Sequence, residues 1–195
     1  DPVSHLTLKN EDGSTQSLTI HKDEGEDLGL NFDTYLMDEK VTLTSAAGTP
    51  AARVSYNLGA TDFSGKSNYD TMSMAWNLKG SLKRDTDVKD LTNEGVMSSG
   101  EIYWAGVMTN YFLSAVLPEM GQNTVFKGRI TDGGVWRAAV ELQDVNLAAG
   151  QPSELKTSWW IGPKSRDLLD AAPNKLKSSI DMGIFTFLAV PLLKL

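Results

Sequence analysis

Most of the chain alternates hydrophobic and polar residues with a period of two, which is typical of half-buried β-strands. Leu18 and Ile20 alternate with polar neighbours, and Val54, Tyr56 and Leu58 do the same. Turn residues separate these stretches at roughly the 8 to 12 residue spacing of β-sandwiches and β-barrels. The pattern predicts an all-β fold.

Glycine-containing turns predict two hairpins. The dipeptide Asp12-Gly13 precedes one alternating stretch, and residues 132–134 (DGG) separate the stretches 125–130 and 135–142. Glycine adopts a positive φ without steric cost, which suits both positions to a tight turn. A further alternating set predicts another strand: Met72, Met74 and Trp76.

Charged residues replace the alternation between residues 79 and 100, and this stretch is interpreted as an exposed, solvated loop. Its run 85–90 is faintly similar to a calcium-binding EF-hand loop. The sixth position is Asp90 where such a loop needs glycine, and the twelfth is Val96 where it needs glutamate. A calcium site is therefore not expected here. The acidic turn 23–27 is likewise interpreted as a solvated turn rather than a cation site.

Two stretches near the C-terminus depart from the β pattern. Pro163 suits the first turn of a helix, Leu168 and Leu169 follow, and Pro173 ends the pattern, which predicts one short amphipathic helix. Residues 180–195 contain eleven apolar side chains and two charges. This segment is apolar nearly all round but shorter than the roughly 20 residues of a membrane span, so composition leaves a buried helix and an interfacial helix as alternatives.

Composition limits the classes of function. The chain has 18 basic and 25 acidic residues, a net charge of −7 and no Cys. This balance argues against a nucleic-acid partner, which needs clustered Lys and Arg. The lack of Cys excludes Cys-ligated metals and thiol nucleophiles, and it favours the oxidising periplasm. No signal peptide opens the chain, so we expect a cytosolic protein or a piece of a longer one.

Catalytic chemistry is sparse in this sequence. His5 and His21 are the only histidines, and neither has a second ligand at metal-binding spacing. A set of aromatic residues offers a sugar-binding platform, but core packing is the favoured interpretation. Adjacent tryptophans on a strand point to opposite faces, which places at least one of Trp159 and Trp160 in a core. The set is Trp104, Tyr111, Phe112, Trp136, Trp159 and Trp160.

Four motifs in the C-terminal half resemble a known family. They are residues 100–107 (GEIYWAGV), 110–118 (NYFLSAVLP), 160–164 (WIGPK) and the closing segment 176–195. In this order and spacing they resemble the large periplasmic domain of the YidC membrane protein insertase family of Gram-negative bacteria. Residues 35–50 are more loosely similar to it. The positions that carry the resemblance are Gly100, Trp104, Gly106, Tyr111, Phe112, Pro118, Trp160, Gly162 and Pro163.

The resemblance implies a mostly-β fold, a β-supersandwich similar to galactose mutarotase-like domains, with a short α-helical region at the C-terminus. It divides the chain into a sandwich, residues 1–162, and C-terminal helices leading toward the membrane, residues 163–195. Family members have further N-terminal strands and a membrane anchor before this point and five membrane segments after it. The chain is therefore expected to be a fragment that lacks some N-terminal strands.

The resemblance also implies an accessory interaction and scaffolding role, without enzyme activity, metal or cofactor, at the periplasmic face of the bacterial inner membrane. The implied partners are the Sec translocon accessory subunits SecD and SecF, nascent inner-membrane proteins through the full-length insertase, and the membrane surface. A membrane-surface partner favours an interfacial helix over a buried helix for the closing segment. The residues expected to face the membrane are Ile184, Phe185, Leu188, Leu192, Lys194 and Leu195.

Two other functions remain open at this stage. A carbohydrate-binding or mutarotase-like periplasmic protein needs His5 or His21 to face a sheet cleft together with a carboxylate. A chaperone-like domain instead holds extended substrates along an exposed strand edge. Pairing of a peptide with residues 100–117 would support that second function.

Overall fold

The computed structural model describes residues 3–9, 15–21, 35–62 and 71–180, with side chains described from Tyr35 onward except for Pro50. Within these residues, twelve strands and three short helices follow one another. The strands are β1 Val3–Lys9, β2 Thr15–His21, β3 Leu36–Thr44, β4 Thr49–Ala60, β5 Ser73–Leu78, β6 Ser81–Asp85, β7 Val96–Gly100, β8 Ile102–Met108, β9 Phe112–Pro118, β10 Thr124–Ile130, β11 Trp136–Leu147 and β12 Pro152–Pro163. The helices are α1 Val88–Asn93, α2 Arg166–Ala171 and a 3-10 helix, Leu176–Ser179.

The strands form two antiparallel sheets that pack face to face. The large sheet has the order β1-β2-β3-β12-β9-β8-β5-β6, and the small sheet has the order β4-β11-β10-β7. This architecture confirms the mostly-β prediction. Both predicted hairpins also form, because β1 pairs with β2 and β10 pairs with β11 in antiparallel register.

The main core lies between the two sheets. Trp76 of the large sheet packs on Phe126 of the small sheet with ring centroids 5.0 Å apart. Tyr56 meets Trp159 edge to face at 6.2 Å. Aliphatic side chains from both sheets fill the space around these pairs, including Val107, Val116, Val140 and Leu142.

A second core covers the opposite face of the large sheet. Trp104 and Trp160 are completely buried there against Leu169 of α2 and Leu176 of the 3-10 helix. The predicted strand around Met74 exists, but burial on both of its faces obscures the expected alternation. The small sheet covers one face of β5 and β8, and the C-terminal helices contribute to the cover on the other.

The adjacent tryptophans behave as strand geometry predicts. Trp159 packs toward the inter-sheet core and Trp160 toward the second core, on opposite faces of β12. The predicted short helix is present as α2, which buries Leu169. Its predicted start was wrong, because Pro163 ends β12 and the helix begins at Arg166.

The interpretation of residues 79–100 as a loop was wrong. They form β6, α1 and β7. The Asp87 carboxylate caps α1 by accepting hydrogen bonds from the backbone N–H groups of Lys89 at 2.9 Å and Asp90 at 3.0 Å. Leu91 is fully buried and holds the helix against the sandwich. The charges that hid these elements are exposed or half-buried at the surface.

Candidate functional site

The residues after β12 cross the outer face of the large sheet from one end of β9 to the other. At the Phe112 end of β9, the Lys164 N–H donates to the Tyr111 carbonyl at 2.7 Å. At the Pro118 end, the Asn174 side chain donates to the Pro118 carbonyl at 2.7 Å. We call residues 164–180 the C-terminal segment. Because β9 has seven residues, the segment spans about 20 Å of the sheet.

Asn174 fastens the segment where it reaches the Pro118 end. Its amide nitrogen also donates to the Tyr103 carbonyl at 2.8 Å, so one side chain binds the ends of β8 and β9. Asn174 and Lys175 both have positive φ, a conformation that asparagine tolerates better than most residues. The Lys175 ammonium lies 4.9 Å from the centre of the Tyr103 ring, and Lys177 forms an ion pair with Asp170 of α2.

Ser178 makes the last polar attachment of the segment. Its hydroxyl accepts hydrogen bonds from the Asn77 side-chain amide at 2.6 Å and from the Trp104 indole at 3.2 Å. Asn77 and Trp104 are both fully buried in the large sheet. Together with the buried Leu169 and Leu176, these bonds fix the position of Ile180, where the described part of the C-terminal region ends.

Two of the motif glycines permit close packing. A Cβ on Gly106 would collide with the backbone of Ser114 and Ala115 in the neighbouring strand β9. A Cβ on Gly162 would lie 2.5 Å from Cγ of Tyr35, whose ring packs over the glycine and lies 6.2 Å from the Trp160 ring. Both glycines therefore serve the packing of the large sheet.

An apolar cavity opens between the two sheets at the Phe112 end. It is open to solvent and has a volume of about 790 Å³. Phe112 and Pro163 are register partners at the ends of β9 and β12, while Gly59 and Ala60 end β4 on the opposite side. We call this cavity the apolar mouth. Its lining residues are Tyr35, Gly59, Ala60, Phe112, Leu113, Ser114, Ile161, Gly162 and Pro163.

The predicted motif residues divide between these two features. The C-terminal segment is held by Trp104, Trp160 and the Pro118 carbonyl. The apolar mouth is lined by Phe112, Gly162 and Pro163, and Tyr111, next to Phe112 in the chain, is 66% exposed. Gly106 lies inside the large sheet, and Gly100 ends β7 with a positive φ. The predicted membrane-facing residues lie outside the described residues: Ile184, Phe185, Leu188, Leu192, Lys194 and Leu195.

Several residues of this region escaped the sequence analysis. The hydrogen bonds that Asn77, Asn174 and Ser178 make across the fold join residues more than 50 positions apart in the chain. Tyr35 precedes its strand and gave no periodic signal. The positive φ of Asn174 follows a proline that ends a helix, and this Pro-Asn pair is the one local signal that marked a tight connection.

The structure does not assemble the aromatic platform considered from the sequence. Trp104 and Trp160 are completely buried and Trp136 is 4% exposed, so these three rings serve as core residues. The side chains of His5 and His21 lie outside those described. Within the described residues, no group of three His, Cys, Asp or Glu side chains is arranged to hold a metal ion.

Tyr56 is the described titratable group with a shifted pKa. Burial between the sheets raises the pKa of its phenol above the ordinary 10.0, and the nearby Glu39 carboxylate adds to the increase. The Glu39 carboxylate also accepts a hydrogen bond from the Trp159 indole at 2.8 Å. This group lies away from the C-terminal segment, so the shift reflects the sandwich interior.

Comparison with known proteins identifies the family. A family profile described as the YidC periplasmic domain matches residues 4–195. The chain belongs to the YidC periplasmic domain family. It is 41% identical over 185 residues to the membrane protein insertase YidC of Nitratidesulfovibrio vulgaris strain DP4, and 40% identical over 165 residues to that of Lawsonia intracellularis. These alignments cover 94% and 84% of this chain.

The chain spans about a third of the length of these relatives, 33% and 31% respectively. The YidC assignment confirms the resemblance drawn from the motifs and places the chain at the periplasmic face of the inner membrane. Among the described residues, no helix is long and apolar enough to cross a membrane.

A structural comparison finds a crystal structure from Escherichia coli K12 named as an aldose 1-epimerase. Its TM-score is 0.41 at 9% sequence identity, and the match covers 82% of this chain and 65% of that one.

Proposed function

We propose that this chain is the periplasmic module of a membrane protein insertase, which assists the insertion and folding of inner-membrane proteins and performs no catalytic chemistry itself. The observation that carries the proposal is the C-terminal segment. Its attachments through Asn174 and Ser178 hold the described chain up to Ile180 on the large sheet. Such a coupling suits a scaffold that is held in a fixed orientation.

The membrane contact in this proposal belongs to residues 181–195. Their apolar residues Ile184, Phe185, Leu188, Leu192 and Leu195 share one face of a helical wheel, and Lys194 supplies a cation for lipid phosphates. The 3-10 helix lies near the Pro118 end of β9, and in this proposal the membrane is on that side of the sandwich. The boundary between residues 162 and 163 stays a prediction, and Pro163 is the last residue of β12.

The partners in this proposal follow from the family. The Sec accessory subunits SecD and SecF contact the sandwich, and nascent inner-membrane proteins are reached through the full-length insertase. The support is the YidC assignment.

Vesicle co-sedimentation of the full chain tests the membrane contact. The probe is vesicles of phosphatidylethanolamine and phosphatidylglycerol, and the test variant carries Leu188→Glu and Leu192→Glu. We expect the double variant to bind at least tenfold more weakly, because two charges on the apolar face oppose its entry into the lipid interface.

A matched control carries two glutamates elsewhere, at Val88→Glu and Met97→Glu, which replace side chains that are 56% and 69% exposed. This control is expected to bind vesicles as the parent chain does. If the parent chain does not bind vesicles, or if both double variants lose vesicle binding equally, the membrane role of residues 181–195 is wrong.

A further inference from the structure

We propose that the apolar mouth and the adjoining edge of β4 bind an extended, uncharged polypeptide segment of a partner protein, which adds to β4 as a further strand. The inference deepens the proposed function and rests on it for the orientation of the sandwich relative to the membrane.

Exposed apolar side chains concentrate at this mouth. Among the described residues, seven large hydrophobic side chains are exposed. Three of them line the mouth, and a fourth belongs to Tyr111, the chain neighbour of Phe112. Contiguous exposed apolar surface of this kind marks binding sites on soluble domains. The four are Tyr35 (46%), Tyr111 (66%), Phe112 (51%) and Ile161 (52%).

The lining of the mouth carries no charge, although the chain as a whole has a net charge of −7. The neighbouring Lys164 is tied away from it, because its ammonium donates to the Thr109 carbonyl at 3.1 Å and contacts the Met108 sulfur at 3.7 Å. A charged occupant would lose its hydration here without gaining a partner. The chemistry therefore fits an uncharged apolar segment.

The edge of β4 supplies the backbone groups that an extended segment needs. β4 is an outer strand of the small sheet, and within the described residues its sheet neighbour is β11 alone. Natural edge strands are commonly protected by charges or proline. β6, at the edge of the large sheet, carries Lys83, Arg84 and Asp85, whereas residues 54–60 of β4 (VSYNLGA) carry no charge.

The protective features of β4 lie at its other end. Pro50, Ala51 with a positive φ, and Arg53 precede residues 54–60. The unprotected half of the edge thus leads directly to Gly59 and Ala60, which line the mouth. The large sheet also continues past β4, since β12 beneath it is followed by β3, β2 and β1. A strand added to β4 consequently has a sheet surface to pack on.

The position of the mouth selects a protein occupant over the bilayer. The mouth lies at the Phe112 end of β9, whereas Asn174 and the segment leading to Ile180 lie at the Pro118 end. With residues 181–195 at the membrane, the mouth points away from the lipid surface.

The same topology excludes another location for strand pairing. Residues 102–108 and 112–118 form β8 and β9, which have neighbours on both sides in the large sheet. A peptide therefore cannot pair with most of the stretch 100–117 without displacing a strand. Within the described residues, β4 is the outer strand that adjoins the mouth.

The test measures binding of a fluorescent heptapeptide, acetylated and amidated, with the sequence Ser-Leu-Ser-Leu-Ser-Leu-Ser, to the full chain by anisotropy. Ile161→Glu places a charge in the mouth and is expected to weaken binding at least tenfold. Met97→Glu makes the same change on β7, the far edge of the small sheet, and is expected to leave binding unchanged. Near-UV circular dichroism checks the fold, and Phe112→Ser replaces Ile161→Glu if that variant does not fold.

A second peptide, N-methylated at each residue, keeps the leucines but cannot donate backbone hydrogen bonds. Strand addition predicts at least tenfold weaker binding of this peptide. Equal binding of both peptides, equal loss in the Met97→Glu and mouth variants, or no binding of the parent peptide would overturn the inference. The inference would also be overturned if the free chain forms dimers and Ile161→Glu abolishes them, because a second copy of the chain would then occupy the mouth.

Vesicle binding separates this inference from the proposed function. Peptide binding without vesicle binding by the full chain retains the strand-addition site and removes the membrane role. Loss of vesicle binding in Ile161→Glu would instead show that the mouth faces lipid, which overturns the inference.

Discussion

The side-chain amide of Asn77 donates a hydrogen bond of 2.6 Å to the hydroxyl of Ser178, joining a buried strand to the last helical turn that the structure describes. The Trp104 indole shares the same acceptor. Ser178→Ala leaves two buried donors without this partner, so we expect a loss of about 1–3 kcal/mol in the free energy of unfolding. Urea unfolding followed by tryptophan fluorescence measures it.

The adjacent serine provides a matched control. The Ser179 hydroxyl is buried but has no hydrogen-bond partner among the described residues. Ser179→Ala should therefore leave stability unchanged or raise it slightly. A comparable loss in both variants would mean that Ser178 acts through helix propensity or packing rather than through its two donors.

Asn174 is expected to control whether the C-terminal segment stays docked. Asn174→Gly keeps the positive φ accessible but removes the two hydrogen bonds to the carbonyls of Tyr103 and Pro118. We predict a loss of about 1–3 kcal/mol. Asn174→Asp should be worse, because a carboxylate faces two carbonyl oxygens there. Native-state hydrogen exchange, read over residues 166–180, measures the docking equilibrium.

Lys175 supplies the comparison, since it has nearly the same φ but contacts Tyr103 only through its ammonium. Lys175→Gly relieves backbone strain while removing one cation–π contact, so exchange in the segment should change little. Faster exchange in Lys175→Gly than in Asn174→Gly would contradict the role assigned to Asn174.

Gly162 and Tyr35 should behave as a coupled pair. The Cβ of Gly162→Ala lies 2.5 Å from Cγ of the tyrosine, so the ring must leave its place beside Trp160. We expect a loss of about 1–3 kcal/mol from this overpacking. Tyr35→Ala in the same chain should recover most of it, and a double-mutant cycle of unfolding free energies measures the coupling.

Gly106→Ala should lose stability that no second substitution restores. There the Cβ meets the backbone of Ser114 and Ala115, which no side-chain substitution relieves. This variant should lose more stability than Gly162→Ala. If the Tyr35→Ala background fails to rescue Gly162→Ala, the two residues are not coupled in the way that the structure shows.

Much of the fold was predictable because each local signal agreed with the packing. Alternation indicated the strands, Pro173 marked the end of α2, and the adjacent Trp159 and Trp160 divided between two cores. These features depend on neighbours within a few residues of one another, which a sequence displays directly.

The stretch 79–100 escaped prediction for a physical reason. In β6, α1 and β7 the one fully buried side chain is Leu91, so few apolar residues marked their periodicity. Asp87 was counted among the charged residues that suggested a loop, although its carboxylate caps the N-terminus of α1. A capping aspartate and a loop aspartate look alike until the buried Leu91 shows which side faces the core.

The candidate site was only half predictable. The motifs indicated Trp104, Phe112, Gly162 and Pro163, but neither their division between the C-terminal segment and the apolar mouth nor the partners of Ser178 follow from spacing. Those relationships depend on sheet order, which pairs residues of β9 and β12 that are about 40 to 50 positions apart in the chain. Long-range pairing of this kind leaves no local pattern.

Tyr56 is expected to give the stability of the sandwich a specific dependence on alkaline pH. Because burial raises the pKa of its phenol above 10.0, the folded chain holds this proton more tightly than the unfolded chain. The contribution is fully present below about pH 10, the unfolded-state pKa, and is lost as the pH rises through the higher folded-state value. Tyr56→Phe removes this loss, so its unfolding free energy should fall less steeply above pH 10 than that of the parent. Urea titrations from pH 8 to 11 measure these unfolding free energies, and Tyr111→Phe, which removes an exposed phenol, serves as the control. If the unfolding free energy of Tyr111→Phe falls with pH as gently as that of Tyr56→Phe, the assignment to Tyr56 is refuted.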